Sequence, residues 1–452
     1  MKNITILGAG RSASSLINYL IERAPKNGWH ITVGEYNLEL AKEKTKGLDC
    51  ASAIFFDVHD EKQRQQVVQK ADIIISMLPA YMHTMIAREC VQYGKHMLTA
   101  SYVSKEMEEL HEEAQKKGVL LLNEIGLDPG IDHMSAMKMI EQAKSNGYEL
   151  EAFESFTGGL LAPESENNPW KYKFTWNPRN VVIAGHGGAV KFRHNGRYKY
   201  IPYHKLFRRT ELIDIEGYGR FEGYANRDSL SYVDKYGLQG IPTIYRGTLR
   251  RPGFCRAWDA FVQLGATDDS YIMEGSEDMT YRDFINSFLA YNAHDSVELK
   301  LMYYLKLDQD SDVIEKLHSL NIFSNTKVGI KNATPAQILQ KILEESWTLD
   351  PNDKDMIVMH HKVKYKKEGE LYLHTADMVI QGEDAIETAM SKTVGLPIAV
   401  ATELLLEGKI SLTGVQIPVK KEIYLPVLDK LEPMGVRFIE KEVKLASELP
   451  VM

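Results

Sequence analysis

Residues 3–24, NITILGAGRSASSLINYLIERA, constrain the fold more than any other stretch of the chain. Ile4, Ile6 and Leu7 form an apolar run that reads as a strand. Gly8-Ala9-Gly10-Arg11-Ser12-Ala13 matches GxGxxA, and Leu16, Ile17, Leu20 and Ile21 then recur at helical spacing. Each small residue has a separate task in such a unit. Gly8 permits the tight turn, Gly10 lets a pyrophosphate approach the backbone, and Ala13 lets helix and strand pack closely while the helix N-terminal amides face the phosphates.

The next hundred residues repeat the pattern. HITVGEYN, AIFFDVHD, ADIIISMLP, HMLTASYVS and GVLLLNEIG read as strands, with helical segments at 61–70 and 82–93 among the connections. Repeated β-α units of this length give a parallel, doubly wound Rossmann sheet, whose ligands bind at the carboxyl ends of the strands. Asp57, Ser76, Tyr102 and Asp128 all fall there. Glu35, near the end of the second strand, can accept hydrogen bonds from both ribose hydroxyls of an adenosine and would repel a 2′-phosphate. That favours NAD over NADP.

After residue 133 the texture changes. ELEAFESFTGGLLAPESENNPWKYKFTW reads as a strand, a Gly-Gly turn and a polar loop leading into an aromatic-rich segment. Two arginine-containing loops follow, YANRDS with Arg227 and IYRGTLRRPG with Arg246, Arg250 and Arg251. Residues 256–354 are mostly helical in pattern, and MIVMHHKVKYKKEGELYLHTADMVI reads as a hairpin turning at KKEGE. In AIETAMSKTVGLPIAVATELLLEGKI one helix is expected to stop at Gly395 and another to restart at Leu396-Pro397. The apolar faces of these last helices are expected to pack back on the first sheet.

Bulk properties narrow the class. A chain of 452 residues should divide into two or three domains. A net charge of −8 without a long basic block argues against a nucleic-acid surface. No apolar run reaches the ~18–20 residues that span a bilayer, and the N-terminus lacks a secretory cleavage pattern. Cys50, Cys90 and Cys255 are few and widely spaced, without a zinc pattern, which fits a reducing cytoplasm. The stretch NEIGLDPGIDH, at 123–133, invites a metal reading because Asp128, Asp132 and His133 lie within six residues. A helix start accounts for it better, with Asp128 as N-cap, Pro129 at the first helical position and Asp132 in the first turn. His360 and His361 alternate faces of a strand and cannot share one metal. No metal is expected.

Four motifs in order, NEIGLDPGIDH, GGLLAPESENNPWKYKFTW, NRDS and RGTLR, resemble the glutamate-forming saccharopine dehydrogenases and the corresponding half of the animal aminoadipate-semialdehyde synthases. The resemblance runs nearly the length of the chain. It implies an enzyme that interconverts saccharopine with glutamate and 2-aminoadipate 6-semialdehyde, using NAD or NADP, as a homodimer. The implied fold is a Rossmann domain at 1–132 completed by C-terminal helices at about 388–452. An α/β substrate-binding and dimerisation domain covers 133–256 with about 355–387, and a mainly helical domain covers 257–354.

By the same resemblance the cofactor is held by Gly8, Ala9, Gly10, Arg11, Ser12, Asp57, Val58, Ser76, Met77, Leu78, Ala100, Ser101 and Leu127, beside Glu35. Substrate is bordered by Ser101, Tyr102 and Asp128 at the nicotinamide end. Arg227 and Thr248-Leu249-Arg250 receive its carboxylates, and Thr175 and Trp176 line the pocket. Two departures stand out. Tyr36 replaces an arginine that fungal members carry for a 2′-phosphate, and Thr157 replaces the family's usual cysteine before Gly-Gly.

The chemistry fits these residues. A substrate with three carboxylates needs cations, and the arginine fork meets a carboxylate with two parallel hydrogen bonds. Removing hydride from the carbon beside an amine, then hydrolysing the imine, needs a base, for which Asp128 and Tyr102 are the candidates. A carboxyspermidine-type imine reductase would want acidic pocket residues instead, and a non-catalytic dinucleotide-binding relative would have no need of the substrate motifs.

Overall fold

The computed structural model describes residues 1–184 and 188–445; the last part of the expected 388–452 segment, residues 446–452, lies outside the described residues. The chain forms two compact units, Met1–Glu149 with Met378–Ile439, and Leu150–Asp377 with Glu440–Met452.

The first unit is built on strands β1 (Lys2–Leu7), β2 (Trp29–Glu35), β3 (Ala51–Phe55), β4 (Ile73–Ser76), β5 (His96–Leu98) and β6 (Leu120–Leu122). Their spatial order is 3-2-1-4-5-6, with the late strand Gly414–Gln416 added beyond β6. Every pairing in this sheet is parallel. Helices cover such a sheet on both faces, so its strands must be apolar throughout; Ile4, Ile6, Ile73, Ile74, Ile75 and Leu120 to Leu122 are all buried. Strand order reverses between β1 and β4, and a crevice at that switch point is where a doubly wound sheet takes its ligand. The Rossmann reading is correct.

Two local expectations fail here. Residues Ala389–Leu406 form one helix, running straight through Gly395 and Pro397. Proline costs the helix one backbone bond, but burial outweighs it: 72% of the helix is buried, although it is long and apolar enough to cross a membrane. Gly395 is the contact point with the helix Ser14–Asn27, because a Cβ there would lie 2.9 Å from the Leu16 amide nitrogen. Ser391 Oγ accepts from the Ser15 amide at 2.9 Å, and Glu387 accepts from Asn18 at 2.7 Å. The last helices do complete the first unit.

The second failure is the start of the helix after β6. It begins at Ile131, with Gly130 as N-cap, so Asp128 and Pro129 stand outside it. Residues 126–130 close on themselves first: the Gly126 amide donates to the Pro129 carbonyl, and the Ile131 amide donates back to Gly126. Asp132 accepts from the Gly130 amide at 2.6 Å. Asp128 therefore precedes the helix and is not its N-cap.

The second unit centres on a larger sheet. Its strands are β7 (Glu149–Leu161), β8 (Val190–His194), β9 (Arg197–Ile201), β10 (Thr210–Ile215), β11 (Gly219–Ala225), β12 (Thr243–Arg250), β13 (Asp355–Lys367) and β14 (Glu370–Gln381). The order is 10-11-12-7-13-14, ending in Ile439–Lys444, with the β8–β9 hairpin attached to β12. The KKEGE hairpin is present between β13 and β14. Gly158-Gly159, expected as a turn, lies inside β7 instead. A Cβ on Gly158 would meet Leu249 Cβ at 2.8 Å, so the glycine lets β7 and β12 approach. The RGTLR segment is likewise strand rather than loop. Helices Phe254–Leu264, Tyr281–Ser287, Val297–Leu305, Asp312–Ser319 and Pro335–Trp347 belong to this unit. An aromatic core of Trp170, Tyr172, Phe174, Phe254, Trp258 and Trp347 joins them to the strands.

Candidate active site

In the first unit the glycine turn follows β1. Gly8 has φ +100°, and a Cβ there would lie 2.8 Å from the Met77 carbonyl oxygen, so no other residue fits. At Gly10 an added Cβ meets nothing within 4 Å. That opening, beside the amides of the turn Arg11–Ala13, is the space a pyrophosphate requires. Arg11 is exposed, Ser12 half-buried and Ala9 buried. The Ala9 amide donates to Glu35 Oε2 at 2.7 Å, and the Tyr36 amide donates to Glu35 Oε1 at 2.9 Å. The carboxylate at the end of β2 is thereby tied to the turn after β1. Tyr36 and Phe55, both exposed, stand with ring centroids 5.4 Å apart at the ends of β2 and β3.

Asp57 and Val58 follow β3 on a loop held by residues of the helix Glu61–Lys70. Gln63 accepts from the Asp57 amide at 2.7 Å and donates to the Phe55 carbonyl at 2.9 Å. Arg64 donates to the Val58 carbonyl at 2.6 Å and pairs with buried Glu89 at 2.7 Å. Helical periodicity alone does not reveal this clamp, because Arg64 reaches backwards to its own loop.

At the end of β4, Ser76 is fully buried, while Met77 and Leu78 beyond it are half-buried. Ser76 Oγ lies 2.8 Å from His83 Nδ1, and His83 Nε2 lies 2.7 Å from Ser101 Oγ. His83 is a residue the sequence reading missed. Ala100, Ser101 and Tyr102 follow β5 and are half-buried. The Tyr102 hydroxyl donates to Asp128 Oδ1 at 3.3 Å, joining the two acid/base candidates. Leu127 is buried. Behind them His133 pairs with Glu124 at 2.8 Å, both fully buried, so His133 serves packing and pairing within the unit. Among the described residues no cluster of three or more His, Cys, Asp or Glu side chains could hold a metal.

In the second unit Thr248, Leu249 and Arg250 end β12. Thr248 pairs with Thr157 of β7 and with Tyr224 of β11. Leu249 is fully buried, and its carbonyl accepts from Arg250 Nη1 at 2.8 Å. The Arg250 guanidinium lies over Tyr172 at 5.0 Å and Phe254 at 5.3 Å, only 7% exposed, and its Nε has no hydrogen-bond partner. Thr157 Oγ1, Thr175 Oγ1 and the Tyr172 hydroxyl are also buried without partners. Unsatisfied buried donors are costly, and several in one aromatic surround fit an anionic ligand. Burial pushes the nearby Tyr224 hydroxyl up to about 12, which keeps it protonated. Trp176 is half-buried against the same core. Neighbouring Arg251, by contrast, is committed to Glu166 and to the Tyr218 carbonyl. Arg227 is exposed with φ +48° just after β11, where its carbonyl accepts from the Lys191 amide at 3.0 Å.

Residues 4–122 match the saccharopine dehydrogenase NADP binding domain, and residues 126–436 match the saccharopine dehydrogenase C-terminal domain. The chain belongs to the saccharopine dehydrogenase family. It is 33% identical to the NADP(+), L-glutamate-forming saccharopine dehydrogenase of Schizosaccharomyces pombe, over 98% of this chain and 99% of that one. With the alpha-aminoadipic semialdehyde synthase of Arabidopsis thaliana it shares 32% identity over 97% of its length, spanning 44% of that longer protein. The apo structure of the L-Glu-forming saccharopine dehydrogenase from Saccharomyces cerevisiae superposes with a TM-score of 0.87 at 29% identity, covering 98% of this chain and 100% of that one. The glycine turn lies within the first match and Arg250 within the second.

Proposed function

We propose that the protein is an NAD(P)-dependent saccharopine dehydrogenase, an oxidoreductase acting on a CH–NH bond. It interconverts L-saccharopine and water with L-glutamate and L-2-aminoadipate 6-semialdehyde. The observation that carries this reading is Arg250, a buried guanidinium on aromatic rings with an Nε still to be satisfied. A substrate carboxylate satisfies it, with Thr175 and Tyr172 supplying further hydrogen-bonding atoms.

The first unit supports a dinucleotide: an open approach at Gly10, helix-turn amides, and Glu35 beside the turn. When bound, the nicotinamide accepts or returns the hydride. The chain's own residues orient the carbon and manage protons. Asp128 takes a proton from the substrate amine or from the attacking water, and Tyr102, hydrogen-bonded to it, orients the carboxylate. Thr157, standing where the family's usual cysteine would be, supplies a hydroxyl and no thiolate.

NAD is the preferred cofactor in this proposal. The names of the fungal relatives carry NADP(+), but here Glu35 is held at the ribose end and Tyr36 stands where the resemblance puts an arginine. The substrate-binding and pairing role of the second domain, the homodimer and a cytoplasmic setting belong to the same proposal. Unpaired Cys50, Cys90 and Cys255 support the last.

The test is direct. Purified protein with saccharopine and either nicotinamide cofactor should generate the near-ultraviolet absorbance of the reduced nicotinamide. Glutamate and the semialdehyde should consume it. Silence with both cofactors in both directions overturns the proposal.

A further inference from the structure

His83 opens the helix His83–Tyr93, and its ring spans the ends of two neighbouring strands. β4 and β5 run in parallel register from Ile73↔His96 to Ile75↔Leu98. Continuing that register sets Ser76 beside Thr99, with Ser101 two residues on. Ser76 Oγ holds one ring nitrogen at 2.8 Å, and Ser101 Oγ meets the other at 2.7 Å, with Thr99 Oγ1 at 3.3 Å. Ser76 and His83 are buried, whereas Ser101 is half-buried at the carboxyl end of the sheet. The ring is therefore anchored on one side and reaches a partly open hydroxyl on the other.

We infer that His83 is a positioning residue for ligand binding, held by Ser76 and fixing both the place and the polarity of the Ser101 hydroxyl. This rests on the dehydrogenase reading, in which Ser101 borders cofactor and substrate. A neutral imidazole offers one donor and one acceptor. With its proton on Nδ1, the ring donates to Ser76 and accepts the Ser101 proton, so Ser101 presents only lone pairs to a ligand. With its proton on Nε2, the ring donates to Ser101, which then has its own proton to give. The Ser76 hydroxyl can accept from Nδ1 or donate to it, so it holds the ring in place in either state. Thr99 accepts from the Ser101 amide at 3.3 Å, which holds the backbone beneath that hydroxyl. Burial holds the ring in its neutral form, with its pKa lowered to about 4. The two-state choice therefore applies at working pH.

Two isosteric variants separate this role from a merely structural one. The amide of asparagine reaches the Nδ1 position and that of glutamine the Nε2 position. His83→Asn keeps the Ser76 contact and loses Ser101, while His83→Gln keeps Ser101. His83→Asn gives up Ser101 and the longer Thr99 contact, and His83→Gln gives up Ser76, so their thermal midpoints should fall by similar amounts. Their ligand constants should not. Relative to the parent, His83→Asn should weaken NADH binding, read by fluorescence titration, and raise the KM for saccharopine by about tenfold. His83→Gln keeps Ser101 but loses the Ser76 anchor, and should weaken both by only about threefold. Ser101→Ala should match His83→Asn, and the double variant should be no worse than either single one. Parallel losses in the asparagine and glutamine variants, or additive losses in the double variant, overturn the inference. If either His83 variant fails to fold, Ser76→Ala serves in its place: weakened NADH binding supports the anchor, and parent-like binding overturns it. The NADH titration needs no saccharopine turnover. An inactive parent whose variants still split in NADH binding thus refutes the substrate reading alone.

Discussion

The Ala9 amide donates a 2.7 Å hydrogen bond to the Glu35 carboxylate, so the acidic residue at the end of β2 is part of the glycine turn after β1. Its position is fixed before any ribose arrives, and a 2′-phosphate would enter against a carboxylate already held by backbone amides. We expect kcat/KM to be higher with NAD than with NADP, and Glu35→Ser to narrow that ratio by about tenfold. Steady-state rates with the two cofactors decide it. An NADP preference in the parent refutes the specificity reading.

Arg250 gives the sharpest test of the substrate. Lysine carries the same charge but lacks the planar fork. Arg250→Lys should raise the KM for saccharopine by at least about tenfold and leave the Kd for NADH unchanged. Arg250→Met removes a buried cation and should fold at least as well as the parent, which separates binding from stability. An unchanged KM in both variants would leave the unpartnered Nε without a ligand and count against a carboxylate there.

Much of this was legible in the sequence because it rests on local chemistry. The parallel sheet follows from apolar runs that must be buried on both faces, and the nucleotide end from a turn that only Gly8 can make. The failures share a different cause. Gly395-Leu396-Pro397 breaks a helix by propensity, yet packing on Leu16 keeps it whole. Gly158-Gly159 reads as a turn because glycine ends strands, whereas here it lets Leu249 come close. RGTLR was read as a loop from its Gly and Arg content, but it is an interior strand bearing a buried cation. His83, Gln63 and Arg64 escaped notice because their roles consist of contacts across a crevice or back to a loop. No periodicity encodes those.

The Tyr102–Asp128 hydrogen bond at 3.3 Å makes a distinct kinetic prediction. If Asp128 is the base, Asp128→Ala should lower kcat by about a hundredfold or more, with a smaller change in KM. Tyr102→Phe removes only the orienting donor and should cost about tenfold in kcat. Near-normal turnover in Asp128→Ala with a raised KM would make it a binding group and pass the proton chemistry to another residue.

The state of His83 predicts how stability depends on pH. Burial lowers its pKa from the ordinary 6.5 to about 4, so between these values the unfolded chain binds a proton that the folded chain refuses. Stability must then fall as pH drops through that window and is fully present above about 6.5. A difference of this size is worth about 3 kcal/mol. Half-buried His96 is shifted in the same direction and adds to the slope. Glu298, held near 2 chiefly by its hydrogen bond from Arg282, loses its contribution only as pH falls from its ordinary 4.5 through that value, outside most of the histidine window. The thermal midpoint of the parent should therefore fall between pH 7 and pH 5. His83→Asn, although less stable at pH 7, should show a clearly smaller fall. Equal falls in parent and variant would mean that His83 is protonated in the folded protein, which would also remove the one-donor, one-acceptor geometry assigned to it.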